Sequence, residues 1–510
     1  MRILVWHGWL LEGSGSNVAT ARIVEVWRAE GHDVLLVCQE RHPERYPWID
    51  AWGVLDRDGI STLAPNLDAS DAPGRCVLLR PEIGILLPVF VVDHYEGFAD
   101  VRPFVDLSED ELEAYLRANV EALRVADAAH RPDVAFVGHG IPGAAIGRRA
   151  LGAGAYVAKI HGSDLEYAIR PQARYRTLAR EGLESARSVV GPSKEALRRC
   201  SELVPQTTSR VRVVPPGVNV ATFRPRSRGE ALAEVADLLD VDDTTQRGRP
   251  VALDAEVERA LDARDAEAID ALFERYEEDV PELEAAARIR RLADREGPIV
   301  GYLGKLIPQK GVELFLEALP ALRQEPAALV VGFGSDRDWL AALAIALRRG
   351  DREAITWLRD TGGLPVDAGT TPDAAGRVPD LTFTGLLDHR YAPGALAAMD
   401  VQVVPSILQE AFGMVAAEGA AAGALPIVAR HSGLAEVAAA LEDDVGRPGL
   451  FSFEPGQGAV HRLVDGVDRL LSLPVGERDE LRRAVSSFVG NHWTWERTAA
   501  KLLAAAEPEG

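Results

Sequence analysis

Lysine is scarce in this chain of 510 residues: five occur, and two of them stand in one hexapeptide, Lys305-Leu-Ile-Pro-Gln-Lys310. Arginine supplies nearly all the other positive charge, since Lys and Arg together number 56. Lysine is a compact point charge on a flexible stem, suited to reaching a phosphate oxygen. The hexapeptide lies between an apolar run, Pro298–Gly304, and a run with helical spacing, Gly311–Leu319. A strand, a short loop and a helix start in that order form a natural place to hold an anion. A solvated loop with two cations reads the same way, so the pair needs partners before it means chemistry.

The stretch Val404–Glu418 offers such partners. Its strand ends at Pro405-Ser406, and a helix starts near Phe412-Gly413 and stops at Ala422-Gly423, where glycine suits the residue after a helix. The free N–H groups of Gly413, Met414 and Val415 would carry the positive end of the helix dipole. Glu410 stands just before that helix and Glu418 about two turns inside it. Carboxylates suit sugar hydroxyls, and one can stabilise positive charge developing at an anomeric carbon. A routine strand–helix unit with one N-terminal acid and one surface glutamate is the plainer reading of the same residues. Three more motifs follow apolar runs: His161-Gly-Ser-Asp164, Gly332-Phe333-Gly334 and Gly13-Ser-Gly-Ser-Asn17. The last lacks the third glycine of a dinucleotide fingerprint.

Together these motifs resemble the retaining glycosyltransferases of family 4, which have the GT-B fold. The family's Glu-x7-Glu is matched by Glu410 and Glu418, and its Gly-Arg/Lys-x4-Lys-Gly diphosphate clamp by Gly304-Lys305 and Lys310-Gly311. Its His-Gly-x-Asp is matched by His161–Asp164, its Pro/Gly hinge by Pro215–Pro225, and its Gly-x-Gly by Gly332–Gly334. Arginine is commoner at the first clamp position; Lys305 keeps the charge and loses the bidentate fork. The resemblance covers residues 1–225 and 297–505 and leaves out the segments between 226 and 296 and near 348–380.

The resemblance implies a role for each matching residue. Lys305 and Lys310 would neutralise a departing nucleotide diphosphate, and Glu418 would hold the ribose hydroxyls. Glu410, with the Phe412, Gly413, Met414 and Val415 amides, would hold the donor sugar. Gly15, Gly304, Gly334 and Leu387 would line the donor site, with base contacts largely from backbone near Leu386 and Leu387. His161 would stand by the transferred sugar, and Asn17, His139, Asp164 and Tyr95 on the acceptor side. The implied reaction moves a sugar from a nucleotide-diphosphate donor to a sugar, lipid-linked or small-molecule hydroxyl, with retention and without metal or cofactor. Two Asp-x-Asp tripeptides, Asp56-Arg-Asp58 and Asp240-Val-Asp242, read as solvated rather than metal-binding.

These residues need a frame. Strands are expected at Arg2–Trp6, Asp33–Cys38, Val134–Val137, Tyr156–Ile160, Ser188–Val190 and Val211–Val214, with helices between them. A second series follows at Ile299–Leu303, Ala328–Val331, Leu381–Phe383, Val401–Val404, Pro426–Ala429 and Leu450–Phe453. Such alternation means parallel α/β sheets, hence two Rossmann-like doubly wound domains facing across a cleft. The expected division is an acceptor domain at 1–222, an acidic helical surface insertion at 226–296, and a nucleotide-sugar domain at 297–485 with an insertion at 348–380. A C-terminal helix at 486–510 would cross back to the first domain.

Composition narrows the class further. Net charge is −22, and Glu230–Glu296 alone contributes −12 of it, from 21 acidic and 9 basic residues. An acidic balance argues against nucleic-acid partners. The longest apolar stretch, Ile83–Val92, is too short to span a bilayer, which leaves peripheral membrane contact open. The N-terminus does not read as a signal peptide, and three cysteines without CxxC spacing suit a reducing cytoplasm. Two rivals remain at this level. One is an NAD(P)-dependent oxidoreductase, using Gly13-x-Gly15 with Glu40 as the ribose acid. The other is a non-catalytic GT-B-like binding protein.

Overall fold

Runs such as Ile3–Trp6 and Val34–Val37, buried on both faces, can form only strands covered by helices above and below. The computed structural model, which describes residues 1–56, 59–91, 95, 97–205, 210–362 and 380–507, is built around two such sheets. The chain divides into two units, Met1–Gly217 with Thr494–Gly510, and Val218–Trp493.

The first unit holds a ten-stranded sheet. Its parallel centre runs Val211–Val213, Ser188–Gly191, Tyr156–Lys159, Val134–Gly138, Arg2–Trp6, Asp33–Val37, Arg75–Pro81 and Ala51–Asp56, and two short antiparallel strands pair with Ala51–Asp56. The part beyond Asp33–Val37 escapes the sequence reading, because Arg75–Pro81 and Ala51–Asp56 have no helix between them. Helix Gly15–Ala29 starts where Ser14 accepts a bond from Asn17 N, and Glu109–His130 starts at a capping box of Ser108 and Glu111.

The second unit holds six parallel strands in the order Leu381–Phe383, Ala327–Val331, Ile299–Leu303, Val401–Val404, Leu425–Ala429 and Ser452–Phe453. The acidic segment, expected as a surface insertion, is part of this unit's core. Leu232, Val235, Val257, Leu261, Ile289 and Leu292 are all buried in the same cluster as the sheet. Helical spacing made those residues one apolar face, and the face had to be covered. Of the expected insertion at 348–380, Arg352–Thr361 is a helix that packs on Arg337–Arg349, and 363–379 lies outside the described residues.

The C-terminal expectation also needs correcting. The expected start at 486 falls inside Val475–His492, a helix of the second unit; the chain's return to the first unit is made, as expected, by the last helix, Trp495–Ala506, capped by Thr494. The latter is held by Trp27 Nε1 donating to Ala499 O at 3.3 Å and Ser188 Oγ to Ala505 O at 2.7 Å. The first boundary likewise falls at Gly217 rather than 222.

One close approach sets the position of the His139 loop. Helix Ala173–Leu183 lies so near the start of helix Ala144–Leu151 that a Cβ on Gly182 would meet the Ala144 carbonyl carbon at 2.3 Å. Backbone cannot yield there as a side-chain tip would. Gly182→Ala is therefore expected to cost roughly 1–3 kcal/mol of stability, measured by urea unfolding, whereas unchanged unfolding would refute this packing.

Candidate functional site

In open parallel sheets, chemistry gathers outside the carboxyl ends of the strands. The second unit brings its candidate residues to that end. Strand Val401–Val404 leads to Ser406 and Glu410, and strand Ile299–Leu303 leads to Lys305 and Lys310. Lys310 Nζ donates to Glu410 Oε1 at 2.5 Å, and Ser406 Oγ donates to the same oxygen at 2.9 Å. Burial acts to raise the Glu410 carboxyl; Lys310, Ser406 and His431 outweigh it, so the group stays ionised below its ordinary range.

A third strand end completes this layer. After Leu425–Ala429, His431 Nε2 meets Ser406 O at 2.6 Å, and Ser432 Oγ accepts from Glu410 N at 3.0 Å. Ser432 holds a left-handed φ of 50°, a strained conformation for a residue with a side chain. Sequence reasoning missed both residues. The available sign was a polar triplet, His431-Ser432-Gly433, at a strand end followed by a helix.

Helix Met414–Ala422 begins at Gly413, whose φ is 114°, and no side chain caps it. Its first N–H groups are therefore open to an outside acceptor. Phe412 is buried against Trp493, and Met414 and Val415 are half-buried. Glu418, in the second turn, is 9 % exposed, and burial pushes its carboxyl up to about 8.

The loop after strand Ala327–Val331 closes on the lysine hexapeptide. Leu306 N donates to Phe333 O, and Lys305 Nζ lies 5.5 Å from the centre of the Phe333 ring. Gly334 has φ 140°, and a Cβ there would strike Leu306 O at 2.5 Å, so only glycine permits the approach. Gly304 follows strand Ile299–Leu303 directly, and Leu387 is buried beyond strand Leu381–Phe383.

The first unit makes a separate cluster from its own strand ends. His7, His139 and His161 follow or border Arg2–Trp6, Val134–Gly138 and Tyr156–Lys159, with ring centres 4.3 Å apart for His139 and His161 and 6.2 Å for His7 and His139. Burial, and then mutual repulsion with Lys159, holds His139 and His161 well below the usual imidazole range, so both are neutral. Burial likewise pushes His7 down to about 4. His139 Nδ1 and His161 Nε2 are buried without a hydrogen-bond partner among the described residues. His139 carries a left-handed φ of 68°. Trp9 and Phe90 pack on its ring at 4.5 and 5.1 Å.

Two residues expected on the acceptor side, Asp164 and Asn17, are bonded within the first unit. Asp164 is fully buried and accepts from Gly140 N, His161 N and Leu165 N at 2.7, 3.1 and 2.9 Å, which fixes both histidine loops. Asn17 is buried too, bonded to His7 at 2.9 Å and to Glu12 O at 2.5 Å. Gly15 opens the helix that carries Asn17. Tyr95 packs against the first core, and its neighbours Asp93, His94 and Glu96 lie outside the described residues. Lys159 was overlooked, although its scarcity argument was the same as for Lys305. It stands two residues before His161, and burial lowers its amine to about 8.

Other expectations resolve by occupancy. Glu40, the ribose acid of the oxidoreductase reading, is buried and accepts from Leu11 N, Arg41 N and His42 N at 3.0, 3.0 and 2.9 Å. Asp240 pairs with Arg290, and Asp242 accepts from Thr244, Arg390 and Tyr391. Asp58 lies outside the described residues.

Comparison with known proteins agrees with this geometry. Residues 14–217 match the model of a glycosyl transferase 4-like domain, and residues 297–472 that of glycosyl transferases group 1. The chain belongs to the family 4 type of GT-B glycosyltransferases. It is 26% identical over 220 residues to glycogen synthase 2 of Agrobacterium fabrum, covering 42% of this chain and 37% of that one. It is 28% identical over 237 residues to a GDP-mannose-dependent alpha-(1-6)-phosphatidylinositol monomannoside mannosyltransferase of Mycolicibacterium smegmatis, covering 44% and 51%. The chain thus spans only 37% to 51% of the length of these two curated relatives. Sucrose-phosphate synthase of Thermosynechococcus elongatus shares the fold at TM-score 0.57 and 18% identity, covering 99% of this chain and 97% of that one. Anabaena HepE in complex with UDP and glucose does so at TM-score 0.55 and 13% identity, covering 99% and 98%.

The buried Glu418 gives a measurable consequence. Unfolded chain releases this proton at about pH 4.3, whereas the folded chain keeps it up to about 8, so stability falls as pH rises through that window. Glu418→Gln removes the ionisation. Relative to wild type it should gain stability between pH 5 and pH 9 in denaturant titrations; an equal difference at both pH values would contradict the assignment.

Proposed function

We propose that this chain is a retaining, metal-independent glycosyltransferase that moves a sugar from a nucleotide-diphosphate donor to a hydroxyl of a sugar, lipid-linked or small-molecule acceptor. The observation that carries this reading is the Lys310–Glu410 pair at 2.5 Å, set beside the uncapped start of helix Met414–Ala422. It places one cation suited to phosphate and one ionised carboxylate suited to sugar hydroxyls on neighbouring strand ends.

In the reaction, the bond between the anomeric carbon and the diphosphate oxygen breaks first. Its electrons leave with the diphosphate, whose growing charge Lys305, Lys310 and the helix-end amides would meet without rearrangement. The acceptor oxygen forms the new bond on the face the diphosphate leaves, which gives retention, and its proton passes to a leaving-phosphate oxygen. Glu410, ionised under these conditions, holds donor-sugar hydroxyls. Glu418, pushed up to about 8 by burial, holds the ribose from the same helix.

The neutral histidines of the first unit suit hydroxyl groups. An unpartnered imidazole nitrogen such as His161 Nε2 can accept a bond from a sugar hydroxyl without a competing charge. Cys38, Cys76 and Cys200 are buried free thiols, which supports a reducing, cytoplasmic setting. No helix among the described residues is long and apolar enough to cross a membrane.

A thermal-shift screen of UDP-, GDP- and ADP-sugars with EDTA present tests the donor and the metal together. One nucleotide class should stabilise the protein under EDTA; stabilisation that appears only with Mn²⁺ or Mg²⁺ would count against the two-lysine mechanism. With that donor, Lys310→Ala and Glu410→Ala should each lower kcat by about 10²–10³. Retained kcat in both would overturn the role given to this pair, whereas no measurable transfer by the wild type together with biological activity intact in both variants would return the non-catalytic rival.

A further inference from the structure

A small pocket opens where the acidic segment meets the second sheet, walled by Arg249, Arg337, Glu278, Val280, Gly334 and Gly385. It has room for a water or one exocyclic atom rather than a whole ring. The segment is fastened there by backbone. Glu282 N donates to Thr384 O at 2.8 Å, Leu386 N to Val280 O at 3.2 Å, and Pro281 pairs with Gly385.

Two arginines of the wall are buried, Arg249 at 1 % and Arg337 at 4 % exposure, and each keeps one nitrogen idle. Arg249 Nε donates to Asp338 Oδ1 at 2.8 Å and Nη1 to Asp254 Oδ1 at 2.7 Å. Arg337 Nε and Nη2 donate to Glu282 at 2.5 and 3.2 Å, and its guanidinium lies 3.9 Å over Phe383. Arg249 Nη2 and Arg337 Nη1 have no partner among the described residues. The nearby buried acids are already engaged, Glu282 also by Arg288 and Asp338 also by Tyr276. Buried guanidinium N–H groups are rarely left unpaired, and no acceptor for these two stands among the described residues.

The position indicates what an acceptor would be. The pocket sits at the carboxyl ends of Ala327–Val331 and Leu381–Phe383, which are the first and second strands beside Ile299–Leu303. With strands spaced 4.7–4.9 Å, this is about 10 Å across from the loop of Lys305. Gly334 and Phe333 belong both to this wall and to the loop that closes on Lys305. A nucleotide whose diphosphate lies at Lys305 and Lys310 would extend its base in this direction.

Resting on the donor reading above, we propose that Arg249 Nη2 and Arg337 Nη1 receive a keto oxygen of the donor's nucleobase, so that the site takes guanine or uracil and rejects adenine. Guanine O6 and uracil O4 are acceptors; adenine presents an amine at the equivalent edge, which would set donor against donor. A base that leaves both N–H groups unpaired loses more than one that merely fits loosely. Discrimination would then come from Arg249, supplied by a segment outside the family's motif pattern.

The test is calorimetric titration of the full chain, with EDTA, by free GDP, UDP and ADP. GDP or UDP should bind at least about tenfold more tightly than ADP, the better of the two naming the base. Arg337→Lys should shrink that ratio, weakening GDP or UDP by more than it changes ADP. ADP binding as tightly as both keto nucleotides would overturn the base assignment alone. Failure of all three to bind would overturn it together with the donor reading. Should Arg337→Lys unfold through loss of its Glu282 pair, the wild-type series decides by itself.

Discussion

Glu410 is a half-buried carboxylate, and a charge partly withdrawn from water needs a charge and hydrogen bonds around it. Lys310, 100 residues away in the chain, supplies the charge and Ser406 Oγ a hydrogen bond, while Ser432 Oγ accepts from the Glu410 backbone N–H. Three strand-end loops meet at Glu410, two through its carboxylate and one through its backbone N–H. Neither the Lys310 loop nor the Glu410 loop could shift far without breaking the ion pair between them. The pair also sets a lysine amine and an ionised carboxylate side by side at two neighbouring strand ends.

The acidic segment shows how a charged composition becomes internal structure. Its net charge suggested a solvated surface, yet Arg249, Arg288, Glu282 and Asp338 are buried as a network of charge-assisted bonds. Such a network specifies position more than it adds stability, since desolvating each ion offsets most of the attraction. Its position is the carboxyl edge of the second sheet, beside the Gly-x-Gly loop.

The first unit uses burial in the opposite sense. Three histidines and Lys159 lie close in the first unit; burial first, and then repulsion by Lys159, keeps the imidazoles neutral, while burial lowers the Lys159 amine to about 8. Asp164, which burial raises to about 7 against three backbone N–H bonds, fixes the loops instead of compensating charge. Neutral, orphaned imidazole nitrogens suit uncharged polar groups.

Most of the fold was legible because parallel strands buried on both faces are continuous apolar runs; Arg2–Trp6, Ile299–Leu303, Leu381–Phe383 and Val401–Val404 have the bounds expected of them. The strands Ala51–Asp56 and Arg75–Pro81 were not legible, since no crossover helix announces them. Glu410, Glu418, Lys305, Lys310 and His161 stood out because scarce residue types and fixed spacing survive in one dimension. The pairing of Lys310 with Glu410, the joining of His431 and Ser432 to them, and the orphaned nitrogens of Arg249 and Arg337 did not. Sequence alone therefore determined which elements form and which side chains are available for chemistry, because periodicity and spacing are local. Only the tertiary structure decided which carboxylate stays ionised, which aspartate merely positions, and where the acidic segment goes, because burial and charge pairing depend on residues a hundred positions away.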